Sequence, residues 1–102
     1  MVSFPGSGNG EQVDPVQVIR TYLALAIQIG APAYNYGDHR GCYEVYACTA
    51  RMLLRSVEGA DEARERLRLA LEQCSTVVDV NEQAWIMRHA FDAILEEGPA
   101  GE

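Results

Sequence analysis

Lysine is missing altogether: all eight basic residues of this 102-residue chain are arginines. Schiff-base chemistry and the phosphate-binding lysine of a P-loop are thereby excluded. Excess positive charge is missing too, because the net charge is −7. Nucleic-acid affinity is dominated by basic clusters that neutralise phosphate, so the acidity argues against that partner and against anionic membrane surfaces. No apolar run approaches the ~20 residues that span a bilayer; the longest, over residues 22–29, is interrupted by Gln28 and closed by Gly30. The start, MVSFPGSGNGEQ, has neither the basic nor the apolar region of a secretory signal, so a cytoplasmic location is expected. Cysteine is scarce and odd in number, at Cys42, Cys48 and Cys74. That count argues against a disulfide framework. The apolar neighbours of all three predict buried free thiols.

What remains is 48% hydrophobic and 23% charged, the make-up of a globular protein, and the length suits one modest core. Residues 1–13, rich in Gly, Ser, Asn and Pro, predict a disordered leader; residues 97–102 predict a flexible tail; a single helical domain is expected over 14–96. Asp14 and Pro15 fit the N-cap and first position of a helix. Its apolar residues cover most of the circumference, with Ile19, Tyr22, Leu23 and Ala26 as one stripe and Val18, Leu25 and Ile29 as a second. Gly30 and Pro32 predict its end. A second helix follows Asp38 as cap, with Cys42, Val45, Tyr46, Thr49, Met52 and Leu53 along one face and Arg40 placed to pair with Glu44. A third spans about residues 60–74, with Ala63, Leu67, Ala70, Leu71 and Cys74 inward and a solvated charged face. Asp79 with Glu82 forms a capping box for a fourth, lined by Ala84, Met87, Phe91, Ile94 and Leu95 with Trp85 beside them; Val78 is placed to staple its start onto Gln83. No segment alternates like a strand. The fold class is all-α: a four-helix bundle-like domain with antiparallel neighbours.

The segment 30–46, GAPAYNYGDHRGCYEVY, is the least ordinary part of the chain. As pure architecture it ends one helix, reverses the chain and caps the next. As a site it offers Tyr34, Asn35, Tyr36, Asp38, His39, Cys42 and Tyr46 around a small polar pocket. Asp38, His39 and Cys42 share a helical face but make at most three ligands locally, a fourth would have to be His89 from the last helix, and structural zinc wants four, mostly cysteine, so no metal is expected. Cys42 with either histidine lacks an oxyanion donor and an orienting acid, so no catalytic residue is assigned.

The pattern A-P-x-Y-N-x-G-D-x-x-x-C-x-x-x-Y over residues 31–46 resembles a motif of small uncharacterised bacterial all-helical proteins. Gln83-Ala84-Trp85 and Arg88-His89-Ala90-Phe91-Asp92 are similar to that group's final helix. The resemblance covers most of residues 16–95 and implies an all-helical fold without a known activity.

The function expected is therefore a non-catalytic protein–protein interaction or adaptor module with no cofactor, not an enzyme, binding a protein partner or itself. The second apolar stripe, Val18, Leu25 and Ile29, is its expected interface, and a homodimer the simplest way to cover it. The alternative is a small-ligand or metal-binding protein with its pocket at residues 34–46.

Overall fold

Asp14 and Pro15 start the first helix as their chemistry requires: the Asp14 carboxylate accepts the Val16 N–H at 3.0 Å, and Pro15 occupies a position where no N–H is needed. The computed structural model describes residues 13–97. Residues 1–12 of the expected leader (1–13) and residues 98–102 of the expected tail (97–102) lie outside the described residues. Four helices follow in order: α1 (Pro15–Asn35), α2 (His39–Ser56), α3 (Asp61–Cys74) and α4 (Val80–Glu97).

Side-chain contacts fix the directions of these helices. Gly30 meets Tyr46 and Tyr34 stacks on His39, so α1 and α2 run antiparallel. Arg20 reaches Ile94 and Leu95 while Tyr34 reaches Asn81, so α1 and α4 are antiparallel as well. Arg64 bonds the Leu54 carbonyl, and Cys74 meets Gln83, which sets α3 against α2 and α4 in the same sense. The topology is up-down-up-down. α2 and α4 pack together as a parallel central pair, and α1 and α3 lie on opposite flanks of it. The core joins Ile19, Leu23 and Ala26 of α1, Cys42, Tyr46, Ala50 and Leu53 of α2, Leu67 and Cys74 of α3, and Met87, Phe91 and Ile94 of α4.

The first helix does not stop at Gly30. It continues through Pro32 to Asn35. Gly30 is buried, and a Cβ built there would lie 2.5 Å from Cε1 of Tyr46. The glycine serves close approach of two helices rather than a turn. Pro32 and Gln28 both stand on the exposed face, so the Gln28 carbonyl that lacks Pro32's N–H faces water. The stop comes at Gly37, whose φ of +97° only glycine adopts freely. There the Gly37 N–H donates to the Tyr34 carbonyl at 2.9 Å and the Asp38 N–H to Ala33 at 2.8 Å, the paired bonds of a Schellman ending. Asp38 then caps α2 with its carboxylate, accepting the Gly41 N–H at 2.8 Å. One residue thus closes α1 with its backbone and opens α2 with its side chain.

Other expectations shift by a residue or a face. Tyr22, read with the inner stripe, is 44% exposed. Val78 is 98% exposed and staples nothing; Gln83 instead donates to the Cys74 and Val77 carbonyls. Asp79 does cap α4 through the Asn81 N–H. α4 runs to Glu97, one residue into the expected tail. Cys42 and Cys74 are buried free thiols, whereas Cys48 is exposed, because α2 turns Ala47 and Ala50 inward in its place.

Gly30→Ala tests the close approach. Alanine gains about 1 kcal/mol of helix propensity, but its methyl drives into a ring already backed by Phe91, with centroids 5.1 Å apart. Overpacking of this kind costs about 1–3 kcal/mol, so chemical denaturation is expected to show a net loss of stability. A gain would mean that Tyr46 moves aside freely.

Candidate functional site

Helices α1, α2 and α4 converge below Gly30 around a cavity of about 180 Å³. α1 contributes Ala31, Tyr34 and Asn35. α2 contributes Cys42 and Tyr46, one turn apart on its inner face. Ala84, Trp85 and Arg88 come from α4. Alanines at 31 and 84 leave the space that larger core residues would fill. Asn35 and Trp85, the exposed members of the lining, mark where the cavity meets solvent.

An aromatic cluster holds one wall. The Tyr34 hydroxyl donates to Oδ1 of Asn81 and accepts the indole N–H of Trp85 at 2.8 Å. Its ring stacks on His39 with centroids 4.3 Å apart and meets Trp85 edge-on at 5.7 Å. Trp85 in turn packs beside His89 at 5.6 Å. Tyr34 is therefore held from three sides, with its donor and acceptor capacity both in use.

The opposite wall is built on Tyr46 and Arg88. Tyr46 is 2% exposed, and burial first, then the neighbouring Cys42 thiol, pushes its pKa up to about 12. Burial likewise raises the Cys42 thiol, with the Tyr46 hydroxyl and Arg88 pulling the other way. A protonated, buried thiol is the reverse of what a cysteine nucleophile needs. Arg88 donates from Nε to Asp92 at 3.1 Å and also interacts with the Tyr46 hydroxyl.

Of the residues singled out in sequence, Tyr34, Asn35, Cys42 and Tyr46 line the cavity. His39 stands behind Tyr34 as its stacking partner. Asp38 is committed to capping α2, and Tyr36 is 95% exposed in the turn, away from the lining. Asp38, His39 and Cys42 share a face but do not converge: among the described residues no group of three or more His, Cys, Asp and Glu is placed to hold a metal. Ala31, Ala84, Trp85 and Arg88 were not anticipated at a pocket. Trp85, beside the inward stripe of α4, is 44% exposed. Its indole N–H must find a partner, and that requirement was the available signal that it meets a polar group such as Tyr34.

The core holds Tyr46 neutral, so its contribution to stability is whole below about pH 10, the usual tyrosine value, and disappears as the pH rises towards 12. Alkaline unfolding of the parent is expected to steepen across that window, by at most about 1.4 kcal/mol per pH unit from this group. A Tyr46→Phe variant should show a shallower decline. Identical pH profiles of the two proteins would refute the assignment.

Comparison of the chain with family models, with curated proteins and with solved structures finds no match.

Proposed function

We propose that this protein is a non-catalytic interaction module that works as a homodimer through the outer face of α1. The observation that carries the reading is the alignment of Val18, Tyr22, Leu25 and Ile29, at i, i+4, i+7 and i+11, on the side of α1 turned away from α2 and α4. Tyr22, Leu25 and Ile29 are 44%, 46% and 62% exposed. Single exposed apolar residues need no explanation, but a row of them along one helix favours a docking surface.

Charge decides where a second copy can dock. Two chains of net charge −7 repel each other, so they meet best where neither carries charge. In α1 the only charged residue is Arg20, and its guanidinium is turned to the Ile94 and Leu95 carbonyls at the end of α4, at 3.0 and 2.8 Å. The rest of the outer face is uncharged, with Gln17, Thr21 and Gln28 exposed beside the apolar row, and the row's heptad-like spacing suits a helix paired with its own copy across a two-fold axis. The protonated, buried Cys42 favours a non-catalytic role. Free thiols favour a cytoplasmic setting, and among the described residues no helix is long and apolar enough to cross a membrane. The net negative charge disfavours nucleic acid. A bacterial source rests on the resemblance over residues 31–46.

A second reading, binding of a small ligand, is favoured by the cavity between α1, α2 and α4.

Light scattering at tens of micromolar is expected to give the mass of two chains for the parent. Leu25→Glu and Ile29→Glu should give the mass of one and still unfold cooperatively, with melting temperatures lowered only by the lost association. A monomeric parent would overturn the dimer.

A further inference from the structure

We propose that the cavity between α1, α2 and α4 binds a small aromatic carboxylate, with the ring beside Tyr34 and Trp85 and the carboxylate on Arg88. The inference rests on the ligand reading of this cavity and is independent of the dimer.

Size sets the first limit. An apolar cavity of about 150 Å³ holds one benzene, so about 180 Å³ accommodates a single six-membered ring with a carboxylate. The lining sets the second. Methyl groups of Ala31 and Ala84 and the rings of Tyr34, Trp85 and Tyr46 make an apolar slot. Tyr34 is already fixed by Asn81, Trp85 and His39, so little side-chain freedom is lost when a ligand enters.

The polar groups set the third. The Tyr34 hydroxyl is fully engaged, and the Tyr46 hydroxyl faces Cys42 and Arg88. A guanidinium carries five N–H donors. Arg88, a lining residue of the cavity, gives its Nε–H to Asp92 and contacts Tyr46, which accounts for only part of its donor capacity. The remaining donors call for an acceptor, and a carboxylate matches their planar fork. A neutral hydrocarbon would leave them facing an apolar ring, and a cation would be repelled. The chain's net charge of −7 opposes any anion at long range. Screening over about 8 Å at physiological ionic strength weakens that opposition, whereas the Arg88 contact is direct.

The single tryptophan reports binding, since Trp85 lines the cavity. Titration of the full chain with benzoate is expected to change its emission saturably. Benzamide, the neutral counterpart, should bind at least about tenfold more weakly, the loss of one charge-assisted contact. Arg88→Gln should remove that preference, and Ala84→Leu, which fills the slot, should remove binding of both compounds; thermal melts check that each variant folds. Equal binding of benzoate and benzamide by the parent would overturn the carboxylate while leaving the pocket a ligand site. Saturable benzoate binding that survives Ala84→Leu in a folded protein would place the ligand elsewhere and overturn the proposal. No binding of either compound to the parent would overturn the ligand reading itself.

Discussion

The contact between the backbone of Gly30 and the ring of Tyr46 sets the geometry of the rest of the molecule. The Tyr46 ring of α2 lies directly on the α1 backbone, with no side chain of α1 between them. The same ring packs on Phe91, so one tyrosine spaces three helices at once. Below it, where Ala31 and Ala84 have only methyl groups to offer, the helices no longer fill the gap and the cavity results. The burial that makes Tyr46 a good wedge also makes its hydroxyl hard to ionise. Core packing, cavity shape and alkaline sensitivity thus have one cause.

The arginines have distinct uses that explain why an acidic chain needs them. Arg20 and Arg64 each bond carbonyls in the last turn of another helix, Arg20 on α4 and Arg64 on α2. Those carbonyls have no partner within their own helix, and a cation there also favours the helix dipole. Arg40 with Glu44, and Arg68 with Glu65 and Glu72, are exposed pairs that add little stability and much solubility. Arg88 differs from all of these. It is partly buried, paired with Asp92 and part of the cavity lining.

The placement of α1 accounts for its apolar excess. α2 and α4 form the central pair, and α1 packs on them from one flank only. Ile19, Leu23 and Ala26 satisfy that contact. A helix with neighbours on one side has no internal use for Tyr22, Leu25 and Ile29, and they remain outside.

The helices, their caps at Asp14, Asp38 and Asp79 and most of the inward stripes were legible in the sequence, because capping and period are properties of residues a few positions apart. The site was half legible. Tyr34, Asn35, Cys42 and Tyr46 stood out as an unusual cluster within one segment. Trp85 and Arg88 did not, since nothing in residues 80–97 says which turn of α4 faces residues 34–46. The end of α1 was misplaced for the same reason. Locally, Gly30 and Pro32 are stop signals; in the folded chain Gly30 is where Tyr46 needs room and Pro32 faces water, so the helix continues to a true glycine stop at Gly37. Sequence alone determined what each helix is and where three of the four are capped. Tertiary structure decided what each face is for, because the partner of a side chain across the bundle lies tens of residues away and only packing selects it.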